Sequence, residues 1–169
     1  MKMKSIQHLV VAATLANGFL FGLNLNRALV AMPAWREAGV VEWARYSRHA
    51  DLALRAAILY PLAAFSGVIV SIAAVWLFVR SPQRPRPLRI PLYTAALFAI
   101  TGLLTTIKAA PFMLSLQHID DDPLALQRAF DGFEFWGGVR GAFQILAYCA
   151  NLWSLGAMLK AFRRSGETA

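Results

Sequence analysis

Four stretches of this chain run for about twenty residues without a lysine, arginine, aspartate or glutamate. They lie between Lys4 and Arg27, Arg55 and Arg80, Arg89 and Lys108, and Arg140 and Lys160. A helix needs roughly 20 apolar residues to cross the hydrocarbon core of a bilayer, so each stretch has the length of one crossing. Four crossings take up most of the 169 residues, 58% of which are hydrophobic, and leave no room for a separate soluble domain. The expected fold class is an all-α membrane protein, a single four-transmembrane-helix up-down bundle. Its spans are expected at approximately 6–30, 52–79, 91–116 and 134–159, with short interfacial helices on the non-cytoplasmic side.

The net charge of +8 would suit nucleic acid in a soluble protein, but its placement points to topology instead. Lys2, Lys4, Arg80, Arg84, Arg86, Arg89, Lys160, Arg163 and Arg164 fall at one end of an up-down bundle, against the single acid Glu167. The other end carries eight basic and eight acidic residues and sums to zero. The positive-inside rule then places both termini and the 80–91 loop in the cytoplasm, in an integral protein of a bacterial inner (cytoplasmic) membrane. Membrane lipids, not nucleic acid, are the expected partners. Cys149 has no second cysteine, which excludes an intrachain disulfide or a cysteine metal cluster. The apolar run after MKMK is long for a cleavable signal and carries Asn17 in its middle, so it is expected to stay as the first span.

The fourth span holds the most informative pattern. It opens with Glu134, Trp136 and Arg140, and then Gln144, Tyr148 and Asn151 follow at intervals of four, four and three. These residues share one helical face. A polar stripe cannot face lipid, where each unsatisfied group would cost several kcal/mol, so it must look into the bundle. Hydrogen-bonding glue between helices and the lining of a site both satisfy that demand. The first span has a similar face in Thr14, Asn17, Phe21 and Asn24, and Asn17 and Asn24 are expected to meet the fourth span. Gly18 and Gly22 on span one, and Gly137 and Gly141 on span four, form small-xxx-small pairs suited to close helix approach.

Between the spans, Pro33 is expected to stop the first helix, and 33–49 to lie as a helix in the interface with Trp35, Trp43 and Tyr46 at headgroup level. Asp51 and Arg55 stand four apart and are placed to pair. Pro61 is placed to kink the second span and Pro111 to bend or end the third, whose face carries Thr94, Thr101, Thr105 and Lys108. Asp120-Asp121-Asp122-Pro123 reads as a helix cap, starting a helix over 124–133 that would lid the bundle.

Alternating direction brings Asn24, Asn26, Arg27, His49, Asp51, Arg55, Lys108, His118, Glu134, Trp136 and Arg140 to one outer level. Such a gathering predicts a polar pocket at the outer end of the bundle. Snorkelling of Arg55, Lys108 and Arg140 to the interface is the plainer alternative. His49 and His118 share that level and are the candidates for a haem or metal site in an electron carrier, although no CxxCH, HxxxH or Glu-x-x-His motif accompanies them.

The segments NGFLFGLNLNRALVAMPAW, TTIKAAPFMLSL and FEFWGGVRGAFQ are similar to those of a small four-helix integral membrane family of largely unknown function that includes fungal anthrone oxygenases. The resemblance runs over nearly the whole chain and is carried by Pro33, Trp136 and Arg140. It implies a cofactor-independent oxygenase or oxidoreductase acting on a lipophilic aromatic, anthrone- or quinone-like compound. Such a substrate reduces O₂ once deprotonated, so no flavin or metal is required. On this reading Arg140 and Lys108 stabilise the developing enolate, and Glu134, Asp51 or His49 supplies the base. Trp136 stacks on the substrate, and Asn24, Asn17, Gln144, Tyr148 and Arg27 complete the binding site. A non-catalytic membrane protein that binds a lipid or ligand, or serves assembly, fits the same residues. Either form is compatible with a homo-oligomer.

Overall fold

The computed structural model describes residues 2–82 and 84–167, with side chains described over 4–82 and 84–161. The chain is helical throughout, without strands among the described residues. Its elements are α1 (Lys2–Asn26), a π-helical turn (Arg27–Ala31), α2 (Met32–Ala38), α3 (Val40–His49), α4 (Leu54–Arg80), α5 (Arg86–Leu114), a 3₁₀ turn (Ser115–Gln117) and α6 (Pro123–Glu167). Four helical stretches are long and apolar enough to cross a membrane: Lys4–Ala38, Leu54–Arg80, Arg86–Gln117 and Pro123–Ala161.

Two of these run further than the sequence predicts. Pro33 does not stop the first helix. The Met32 N–H reaches back five residues to the Arg27 carbonyl, and this widened turn carries the chain past a residue that has no N–H of its own. The true stop is Gly39, whose φ of 91° is open to glycine and strained for other residues. The interfacial helix expected over 33–49 is therefore two helices, α2 and α3, hinged at Gly39. Likewise the 124–133 helix is no separate lid but the first turns of the 45-residue α6, since nothing between 133 and 134 breaks the helix. Its cap is as expected: Asp122 Oδ1 accepts from the Leu124 N–H at 3.1 Å. Pro61 and Pro111 lie inside α4 and α5, neither of which ends there.

The four long helices close into a ring. α1 packs on α4 and α6, and α5 packs on the same two from the other side, most extensively on α6. Apolar side chains fill the two ends. At one end Trp43, Met113, Leu116, Leu126, Phe130 and Phe133 form an aromatic cluster that also seats α3. At the other, Ile6, Val10, Phe78, Leu88, Leu92 and Met158 interlock. We call these the aromatic and the arginine end. The Lys2, Arg163 and Arg164 side chains lie outside the described residues. Between the ends the interior is built of small residues, Val68, Ala99 and Ala147. Large apolar side chains such as Leu15, Phe65, Ile69, Leu97 and Trp153 stand exposed on the outside. A soluble protein would bury them, whereas a helix in lipid loses nothing by showing them. The chain has the build of an integral membrane protein.

Candidate functional site

The middle of the bundle shows what the polar stripes do. Gln144 is 5% exposed, and its Oε1 accepts from Asn24 Nδ2, which also donates to the Leu20 carbonyl at 2.7 Å. A Cβ on Gly102 would stand 3.1 Å from Gln144 Cγ, so the glycine makes room for the amide. Tyr148 stacks on Phe21 with centroids 4.9 Å apart, over Gly18. Asn151 donates to its own helix at the Ala147 carbonyl, 3.0 Å away. The Asn24–Gln144 bond and the Phe21–Tyr148 stack join α1 to α6, while Asn151 is satisfied within its own helix. Asn24 meets the fourth span as expected, but Asn17 does not. Its Nδ2 bonds the Ala13 carbonyl and its Oδ1 lies against Gly67 of α4, where the missing side chain leaves space. Two modest open cavities, of about 240 and 270 Å³, lie elsewhere and include none of the candidate site residues.

The aromatic end holds the charges. The π-helical turn positions Arg27 so that Nη2 lies 2.6 Å from Asp51 Oδ1. Ser47 Oγ donates to the other carboxylate oxygen at 3.2 Å. The Arg27 guanidinium also lies over the Phe133 ring at 5.1 Å and the Trp35 ring at 5.6 Å. Asp51 thus pairs with Arg27 rather than with Arg55, which is exposed: helical spacing offered Arg55, but α4 begins only at Leu54 and a distant helix end arrives first. Arg36 of α2 holds Glu134. Arg48 of α3 makes three bonds, to the Leu116 carbonyl at 3.0 Å, the Ile119 carbonyl at 2.7 Å and Asp121 at 2.9 Å.

Arg55, Lys108 and Arg128 at this end also make no ion pair among the described residues, but they are exposed; Arg140 is partly buried. It stands on α6 within electrostatic reach of Arg27, Asp51 and Tyr60, yet makes no hydrogen bond or ion pair among the described residues. Two guanidiniums therefore share one carboxylate, and a positive charge is left over at a partly buried position. The start of α4 stands beside this site with its side chains uncovered. From 54 to 62 every residue but Ala56 is exposed, and the first buried residue of that helix is Gly67. Tyr60, 38% exposed, lies on this uncovered stretch.

The remaining candidates make no bond to this centre among the described residues. Lys108, His49 and His118 are exposed, and His49 Nδ1 lies 2.9 Å from the carbonyl of Arg45 on its own helix. Trp136 meets its neighbour Phe135 edge-on at 5.3 Å. No cluster of three or more His, Cys, Asp or Glu suited to a metal occurs among the described residues. Trp43 is fully buried, edge-on to Phe130 at 5.1 Å, and its indole N–H has no acceptor among the described residues. Sequence reasoning passed over Arg36 and Arg48. Their partners are 98 and 73 residues away, and the one visible signal was an acidic run at 120–122 in need of a cation. No protein-family model, curated protein or solved structure matches the chain.

Proposed function

We propose that this is an integral membrane protein that binds a lipophilic compound bearing an acidic oxygen, a phenol, enol or carboxylate, at the aromatic end of its bundle. The observation that carries this is Arg140, an interior guanidinium with no partner of its own. Charge inside a membrane span is costly and is found where it meets a counter-charge or a ligand. The other arginines of α1 to α3 at this end, Arg27, Arg36, Arg45 and Arg48, already hold a carboxylate. The bare start of α4 supports entry from the bilayer, with the Tyr60 hydroxyl a second donor beside the anion. The aromatic end faces away from the cytoplasm on this proposal, because the excess of basic residues lies at the other.

The enolate of an anthrone-like ketone belongs to this ligand class, so the oxygenase chemistry implied by the resemblance is the catalytic form of the same proposal. Binding is the reading favoured here, because both carboxylates offered as a base are engaged: Glu134 by Arg36 and Asp51 by Arg27. The test is mass spectrometry of compounds that survive purification. Wild-type protein should carry an acidic lipophile, and Arg140→Lys, folded by circular dichroism, should lose it because a point charge cannot replace the planar fork. Undiminished retention by the folded variant would overturn the assignment.

A further inference from the structure

At the opposite end, one of the two cavities, of about 240 Å³, is lined by Phe78 and Val79 from the last turn of α4 and by Arg84, Arg86, Arg89 and Tyr93 from the loop and first turns of α5. Drug-sized ligands need roughly 300–1,000 Å³, so this space suits a small polar group. Its donors are free. Arg84 spends only Nε, on the Ser81 carbonyl at 3.0 Å, and Arg86 and Arg89 have no hydrogen bond or ion pair among the described residues. No Asp or Glu occurs anywhere from 56 to 119 to neutralise them. α5 begins here with neither a side-chain cap nor an acidic residue in its first turn, so the positive end of its dipole adds to the three guanidiniums.

The arrangement is also held ready. Pro85, Pro87 and Pro91 fix the backbone on which the arginines stand, which lowers the entropy lost on binding. Guanidinium forks grip phosphate oxygens in pairs. Val79 and Ile90, 40% and 64% exposed, present apolar surface beside the cavity, as a phosphate attached to acyl chains would require. We propose that this cavity is a phosphate-binding site. It is independent of the Arg140 reading, which concerns the other end of the molecule.

The experiment is native mass spectrometry of the full chain in non-ionic detergent, titrated with phosphatidylglycerol, phosphatidylcholine and inorganic phosphate. Phosphatidylglycerol adducts should exceed phosphatidylcholine adducts. Joint Arg84→Lys, Arg86→Lys and Arg89→Lys substitution keeps every charge but removes the forks, and should erase about tenfold of that preference. If the triple variant does not fold, Arg86→Lys alone should show a loss of a fewfold. Inorganic phosphate that displaces the lipid assigns the site to free phosphate, and failure to displace it assigns the site to a lipid headgroup. Equal binding of the two lipids, or a preference intact in the folded lysine variant, would overturn the proposal and leave only diffuse attraction to a basic surface.

Discussion

At the aromatic end Arg27, Arg36, Arg45 and Arg48 each hold a carboxylate, whereas at the arginine end Arg84, Arg86 and Arg89 hold none among the described residues. The difference follows from what lies beneath. The arginine end is closed by interlocking apolar side chains, Phe78 and Leu88 among them, at the helix ends themselves. Arg84, Arg86 and Arg89 fasten no second helix there, Arg84 bonding only the nearby Ser81 carbonyl. The aromatic end must also hold α2, the overhanging end of the first long helix, and seat the short α3. Arg36 fastens α2 to α6, and Arg48 fastens α3 to the turn between α5 and α6. Charge is a fastener at one end and a reservoir at the other. The unpaired Arg55, Lys108 and Arg128 of the aromatic end are exposed, whereas Arg140 is unpaired and partly buried, which is why it reads as a binding group.

The comparison breaks most sharply if the two ends do not lie on opposite sides of a membrane as proposed. A reporter active only after translocation, fused after Gly166, should be silent, while the same reporter inserted in the 120–122 loop should be active. The effect is all or none. Activity at the carboxyl terminus would reverse the orientation and the side from which ligands reach each end.

Next in size is the Arg27–Asp51 pair. The Asp51 side chain is 8% exposed and that of Arg27 22%, so this bond is more sheltered than a surface ion pair, whose worth is about 0–1 kcal/mol. Asp51→Asn would leave Arg27 and Arg140 facing each other with no counter-charge. Removing one partner of a buried pair costs about 3–5 kcal/mol, and the partial exposure of Arg27 should reduce this to roughly 2–3. Arg84→Gln at the other end should change stability by less than about 0.5 kcal/mol. Thermal unfolding in one detergent measures both, and equal losses would show that the two ends do not differ in kind.

Much of this fold was legible because bilayer thickness turns length and charge into architecture. The four uncharged runs gave the four long helices, and the spacing of Gln144 and Asn151 gave a face that is indeed buried. What sequence could not give was continuity and pairing. Whether Pro33 stops a helix depends on a single five-residue hydrogen bond from Met32, a local alternative that leaves no mark on apolar periodicity. Asn17 and Asn24 share a face in sequence, yet Asn17 lies against Gly67 of α4 and Asn24 bonds Gln144 of α6, a choice of neighbour that periodicity alone does not reveal. The site was half legible. Arg140 stood out as a charge at the edge of a span, but its lack of a partner appears only once Glu134 and Asp51 are seen to be taken.

The smallest effect contrasts two helix starts. α6 is capped by Asp122, whose carboxylate accepts from Leu124 N–H, while α5 starts at Arg86 after Pro85 with no side-chain cap. Asp122→Ala should cost about 1 kcal/mol, the usual worth of a lost N-cap, read as a lower unfolding midpoint in detergent. Pro85→Asp tests the converse. The new carboxylate would supply the missing cap, offsetting the lost rigidity of proline, so folding should change little. It would also place a fixed negative charge against the three arginines and compete for the same donors. If the start of α5 is left open for a phosphate, Pro85→Asp should fold normally and lose the preference for phosphatidylglycerol. A normal fold with the preference unchanged would mean that this helix end plays no part in binding, and would move the site outward onto the arginine side chains alone.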